Sequence, residues 1–212
     1  MDYKVCYIII ALIALIYVSD NRDYIYEYMT LTNKISDIDK REYNVVSEFT
    51  DSDEAANKLS EVHAFMINFL RYMRKKFIIN QSGSIDEKEF VMRVLKNYNP
   101  DTLFENNPAP GKDTSYVINK GDKFAICLRN KNPANTFHDI DILKFVSLHE
   151  LSHMGTNTYG HNKEFWFWFQ FMLIQAKESG LYIPINYSQN PINYCGLMVS
   201  NNPYFTPISA YM

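Results

Sequence analysis

The sequence has no excess of positive charge: 21 Lys and Arg residues against 24 Asp and Glu residues give a formal net charge of −3. Recognition of phosphates needs a concentrated positive surface, so we expect no nucleic acid partner. No internal repeat or low-complexity segment occurs, which argues against a repeat array. With 212 residues, of which 47% are hydrophobic, the chain is long and apolar enough for one domain with a sizeable core.

Cysteine is scarce as well. Of the three cysteines, Cys6 lies in an apolar N-terminal run, which leaves Cys127 and Cys195. These two allow either one disulfide or two free thiols, so the cysteines leave the redox compartment open.

Histidine is also rare, yet two of the five histidines form an H-E-x-x-H motif, His149-Glu150-Leu151-Ser152-His153. Positions i and i+4 share one face of a helix, so both imidazoles reach one metal ion while Glu150 lies beside them. Chance alone produces the motif in on the order of one such chain in a hundred or fewer. The alternative is a pair of hydrogen-bonded core histidines, which would be costly in so apolar a helix without a shared role.

A catalytic zinc takes three protein ligands and leaves its fourth position to water. His161 is the candidate third ligand, and a solvated loop residue is the alternative interpretation of it. Glu164 is the other candidate ligand, or a hydrogen-bond partner of His161. Zinc held in this way polarises a water and the scissile carbonyl, and Glu150 is expected to act as general base.

The motif lies in an apolar run from residue 140 to 154, which predicts a mostly buried helix begun by Asp139 or Asp141. Gly155 is expected to end it in the left-handed conformation and to turn the chain toward the third ligand. Periodicity predicts further helices and a β-hairpin, namely helices over 51–77, 86–98 and 162–179 and strands over 116–119 and 123–128.

The motif, followed by Gly160-His161-x-x-Glu164-Phe165-Trp166, resembles the WLM and SprT-like zinc metallopeptidases. The resemblance extends upstream over 114–121 and 125–129. Downstream, 182–188 and 191–196 are similar to the tail of the version found in large DNA viruses, so about half of the chain is covered.

This resemblance implies an α+β, zincin-like minimal metallopeptidase domain that binds Zn²⁺ through His149, His153 and His161. It implies a zinc-dependent endopeptidase that acts on a protein or peptide substrate, with Glu150 as the catalytic residue. A catalytically silent zincin-fold structural protein and a protease for protein–DNA crosslinks are the alternatives.

The run from Val5 to Val18 is unbroken and apolar, which predicts a single-pass N-terminal membrane anchor or a signal peptide. Tyr17 stands where a signal peptidase needs a small side chain, which favours an uncleaved anchor. Lys4 ahead of the span weakly favours an N-terminus in the cytosol and a domain in the lumen or exterior, so a host or virion membrane is the expected location.

The predicted organisation is therefore an anchor over 1–19, a juxtamembrane stalk over 20–52 and the metallopeptidase domain over 53–212. A strand or helix of the domain itself is the alternative interpretation of 20–52, and the oligomeric state is left open.

Two further roles are expected of the domain. The strand from Ala125 to Leu128 is the candidate open edge to which an extended substrate adds, with an ordinary core hairpin as the alternative. Tyr187 or Tyr194 is a candidate hydrogen-bond donor to the oxyanion.

Overall fold

The computed structural model describes residues 7, 10, 30–108, 113–131 and 134–206. The fold is α+β, as the sequence predicts. The described residues form the helices α1 (Ser52–Met73), α2 (Ile85–Asn97), α3 (Ile140–Gly155) and α4 (Lys163–Glu178). A π-helical segment, Arg74–Ile79, continues α1, and a 3-10 turn, Pro100–Thr102, follows α2.

The main sheet has five strands: β1 (Leu31–Ile35), β2 (Glu42–Val46), β3 (Leu103–Asn106), β4 (Tyr116–Ile118) and β5 (Lys123–Cys127). Their order is β1-β2-β3-β5-β4. The pairs β1/β2 and β4/β5 are antiparallel, whereas β2/β3 and β3/β5 are parallel. Two small hairpins complete the described strands, β6 (Arg129–Lys131) with β7 (Ala134–Phe137) and β8 (Ile192–Tyr194) with β9 (Leu197–Val199).

The predicted stalk over 20–52 is wrong for its described part, because β1 and β2 are strands of the domain's own sheet. Over the first four residues of β2, the core residues Tyr43 and Val45 alternate with the exposed Glu42 and the half-buried Asn44. Alternation of this kind is what a strand with one covered face requires. The domain therefore includes residues from at least Thr30 onward.

The anchor predicted over 1–19 and the first part of the stalk lie outside the described residues, apart from residues 7 and 10. Within the described part of the chain, no helix has the length and apolar character needed to cross a bilayer.

The prediction that the strand from Ala125 to Leu128 is an open edge is also wrong. Strand β5 pairs with β3 on one side and with β4 on the other, so its backbone groups are used within the sheet. The terminal strand on this side is β4.

The helices begin and end largely where the sequence predicts. Ser84 and Glu87 form a capping box at the start of α2. Asn162 caps α4 by accepting from the Phe165 amide, and Gly180 follows that helix with a φ of 75°. Helix α3 is buried on most sides and contacts α1, α2 and α4. The motif helix is thus the centre of the helical layer.

Gly155 does not end α3 in the left-handed conformation as predicted, because it lies within the helix and Thr156 is the C-cap. A Cβ added at Gly155 would lie 2.4 Å from Phe90 Cε2 and 2.6 Å from Val94 Cγ2. The absence of a side chain there lets α2 and α3 approach closely.

Cys127 and Cys195 are joined in a disulfide, which decides between the two possibilities left by the sequence. The bond ties the end of β5 to the turn between β8 and β9. The hairpin of β8 and β9 is therefore covalently linked to the main sheet.

Candidate metal centre

The three histidines selected from the sequence converge. The Nε2 atoms of His149 and His153 lie 3.2 Å apart, those of His153 and His161 3.1 Å, and those of His161 and His149 2.9 Å. Two come from successive turns of α3 and the third from the loop before α4. Nitrogens bound tetrahedrally to zinc at its usual bond length lie roughly 3.3 Å apart, so the spacing is close to that of a shared ion.

Hydrogen bonds cannot account for this triangle. A neutral imidazole nitrogen is either a donor or an acceptor. Among three mutually adjacent nitrogens at least two must therefore have the same role, so one contact is left unfavourable. A cation at the centre lets all three lone pairs point inward, and this donor set fits zinc.

The histidines are held in the neutral form that metal binding requires. Burial lowers the pKa of His149 well below its ordinary value, and the neighbouring imidazoles lower it further. Burial, followed by the adjacent His161, lowers the pKa of His153 to about 4. Burial also lowers the pKa of His161, against the opposing charge of Asp113. Each ring therefore offers a lone pair near neutral pH.

Aromatic rings at the start of α4 orient the imidazoles. Phe165 stacks on His153 with ring centroids 4.2 Å apart, and its edge contacts with His149 and His161 have centroid separations of 4.8 and 4.7 Å. Phe165 is fully buried. Its ring is the common wall against which the three imidazoles pack.

Glu150 lies beside the histidines in the same cleft and is 4% exposed. Burial raises the pKa of its carboxyl group to about 8, with a further contribution from the charge of Asp113. This environment suits a group that must accept and release a proton.

Glu164 does not join the cluster of His149, His153 and His161, although it was the alternative third ligand. Its carboxylate instead accepts hydrogen bonds from the backbone amides of Asn157 and Thr158 and from both of their side chains, at 2.8–3.3 Å. It therefore organises the loop that leads from α3 to His161.

The C-terminal end of α3 is held by side chains of α2, which the sequence did not predict. Asn97 Nδ2 donates to the Met154 carbonyl at 2.8 Å, and Arg93 Nε donates to the Gly155 carbonyl at 2.7 Å. The last carbonyls of a helix lack partners within it, and a cation there also complements the helix dipole. These bonds replace the glycine cap that was expected.

The cleft beside the histidines is lined by the terminal strand and the loops around it. Besides the motif residues, its lining includes Asp113, Ser115, Tyr116, Val117, Lys120 and Tyr159. The hairpin could be predicted from its alternation, but nothing in the pattern indicated which hairpin or loop residues face the histidine cluster. Tyr159, directly before Gly160-His161, had only its place in the sequence as a signal.

Neither tyrosine named as an oxyanion donor lines the cleft. Tyr187 is buried with its ring 5.1 Å from that of Phe145. The Tyr194 hydroxyl donates to the Cys127 carbonyl at 2.8 Å and lies 2.6 Å from Ser115 Oγ. Tyr194 therefore supports the cleft wall from behind.

Comparison with known proteins finds relatives of viral origin. The chain is 29% identical over 167 residues to uncharacterized protein R325 of Acanthamoeba polyphaga mimivirus, which covers 79% of this chain and 81% of that protein. It is 35% identical over 69 residues to uncharacterized protein 136R of Invertebrate iridescent virus 6, which covers 32% of this chain and 38% of that protein. No family model and no solved structure matches. The chain is thus similar to viral proteins whose names state no activity.

Proposed function

We propose that this protein is a zinc-dependent endopeptidase with a WLM/SprT-like zincin fold. The observation that supports it most is the convergence of His149, His153 and His161 on one point, with Glu150 in the same cleft. Three neutral imidazoles are the donor set of a hydrolytic zinc site that keeps one position open, and the neighbouring carboxylate is placed to act as its general base.

Zinc bound by the histidines would lower the pKa of a water and polarise a carbonyl. Glu150 takes the proton as the water attacks the scissile carbon, and it passes that proton to the leaving amine. The carboxyl must be ionised to accept a proton, and a cation held by the three histidines would lower its raised pKa toward that state. Glu150 would then act as the general base.

The substrate is an extended peptide that adds to the sheet along β4. This strand is the terminal one, and Tyr116 and Val117 lie in the lining of the cleft with the histidines. Strand addition supplies backbone hydrogen bonds and places every second side chain toward the cleft. A folded substrate would have to present such a segment.

The proposal is tested by metal analysis of the purified full chain and by digestion of a peptide library. We expect one zinc per chain and cleavage that Glu150→Gln abolishes without loss of zinc. Loss of a general base typically costs about 100- to 10,000-fold in rate. The control is Glu42→Gln, because Glu42 is exposed on β2 far along the sheet from β4.

Cleavage that persists in Glu150→Gln removes Glu150 from this role. Zinc binding without cleavage of any peptide by the wild-type chain favours the catalytically silent structural protein.

We further propose that the run from Val5 to Val18 anchors the protein in a host or virion membrane and that the domain faces an oxidising compartment. The Cys127–Cys195 disulfide supports a location of the domain in an oxidising compartment, because disulfides persist where thiols are not kept reduced.

Alkylation of free thiols in intact expressing cells tests the topology. We expect both cysteines to escape labelling until a reductant is added to the denatured protein. Labelling of both in untreated cells would place the domain in the cytosol.

A further inference from the structure

The loop between α3 and α4 has a demanding task, because it must bring His161 to within about 3 Å of two histidines on a rigid helix. Residues 157–162 of this loop are exposed and have no regular secondary structure. Its position must therefore come from specific contacts with the rest of the domain.

One lysine supplies contacts along this whole path. Lys120 Nζ donates to the carbonyls of His153 at 2.9 Å, Thr156 at 2.6 Å and Thr158 at 2.8 Å. An ammonium group has three N–H donors, so all of them are directed at the helix end and the loop. The same nitrogen lies 4.7 Å from the centroid of the Tyr159 ring. Lys120 thus contacts His153 and three of the residues between His153 and His161.

The backbone that carries Lys120 is well defined. It lies in the turn between β4 and β5, where Asn119, Lys120 and Gly121 have positive φ values of 47°, 64° and 143°. A Cβ added at Gly121 would lie 2.2 Å from the Asn97 carbonyl oxygen, so this turn packs directly on the end of α2. The ammonium is therefore presented by a packed hairpin.

Glu164 acts on the same loop with the opposite polarity. It accepts from the amides of Asn157 and Thr158, whereas Lys120 donates to the carbonyl of Thr158. Around Thr158, the backbone N–H groups are therefore bound by Glu164 and a backbone carbonyl is bound by Lys120.

We propose that Lys120 is a positioning residue that fixes the loop carrying His161 so that the third imidazole reaches the metal. Lys120 also lines the cleft and lies two residues after the end of β4, so the terminal strand and the loop that carries His161 are fastened to each other. This inference rests on the proposed zinc site but needs no assumption about the substrate.

The experiment measures metal affinity in the full chain for wild type, Lys120→Met and Lys163→Met. Lys163 is the matched control because it is two residues from His161, is exposed, and its side chain has no hydrogen bond to a described residue. We expect Lys120→Met to weaken zinc binding about 10- to 100-fold, the usual effect of losing a group that supports a ligand. Its Co²⁺ form should have an altered visible spectrum, and Lys163→Met should match wild type in both.

Lys120→Met and Lys163→Met are also introduced into a His161→Ala background, and the zinc affinity of each is compared with that of His161→Ala alone. If Lys120 acts through His161, Lys120→Met has no further effect on metal affinity once His161 is absent. An equal loss in both backgrounds, or an equal loss in Lys163→Met, overturns the inference in favour of general destabilisation or of charge alone. A wild-type chain that binds no zinc overturns the proposed function, whereas a zinc-binding wild type with an unaffected Lys120→Met overturns only this inference.

Discussion

At the scale of single residues, His161 and Glu164 differ in what they contact: His161 joins the histidine cluster, whereas Glu164 holds the loop that carries it. Both are potential zinc donors and they lie three residues apart in the sequence. Only His161 approaches the histidine pair, while Glu164 is occupied by amide and hydroxyl donors of the preceding loop. The path of the loop between α3 and α4 decides which of the two side chains reaches the histidine pair. No residue pattern specifies that path.

We therefore predict different losses of zinc affinity for the two residues. His161→Ala removes a bond to the metal and should weaken binding by more than about 100-fold. Glu164→Gln only loosens the loop and should cost about 10-fold or somewhat more. Competition with a chromophoric chelator measures both. A larger loss in Glu164→Gln than in His161→Ala would reverse the assignment.

At the scale of the elements, α3 depends on its contact with α2. Replacing glycine by alanine inside a helix ordinarily stabilises it by up to about 1 kcal/mol. At Gly155 the new methyl group would meet Phe90 and Val94 at distances below 3 Å. Overpacking of this kind typically costs about 1–3 kcal/mol.

Gly155→Ala should accordingly lower the free energy of unfolding, measured by urea denaturation. Phe90→Leu introduced into Gly155→Ala should restore part of the loss, because a smaller side chain then faces the added methyl. A Gly155→Ala variant as stable as wild type would mean that α2 and α3 are farther apart than described.

The elements also differ in how far the sequence could predict them. The helices and the hairpin of β4 and β5 follow from periodicity and caps, and the HExxH spacing located three of the four residues of the site. The parallel pairing of β2 with β3 joins residues 60 apart, Asn44 and Phe104, and no local pattern records such a contact. For the same reason the sequence predicts a stalk where β1 and β2 lie and an open edge at β5, whereas all three strands pair within the main sheet. The sequence predicts Gly155 as a helix cap, whereas it lies at a close contact between α2 and α3. A glycine in either position has the same appearance in a sequence.

At the scale of the whole molecule, the disulfide joins positions that are 68 residues apart and on either side of α3 and α4. Closing a loop of that length in the unfolded chain corresponds to about 4 kcal/mol of stabilisation in the chain-entropy model. The bond holds the C-terminal hairpin against the end of β5, where Tyr194 supports Ser115.

Replacing Cys127 and Cys195 together by alanine should lower the free energy of unfolding by about 2–4 kcal/mol, measured by chemical denaturation without reductant. Reductant should destabilise wild type by a similar amount and leave the double variant unchanged. Cys6→Ala is the control, since Cys6 lies outside the described domain. Equal sensitivity of both proteins to reductant would contradict a structural role for the bond.

The same covalent link constrains when the domain is completed during its synthesis. Ser115 in the cleft wall is supported by Tyr194, and Cys127 can form its disulfide only after Cys195 has been synthesised. The ribosome must therefore add some 40 residues beyond His153 before this wall is complete. A nascent chain that already carries the whole H-E-x-x-H helix still lacks that support. The cleft beside the histidines is therefore among the last parts of the domain to be completed during synthesis.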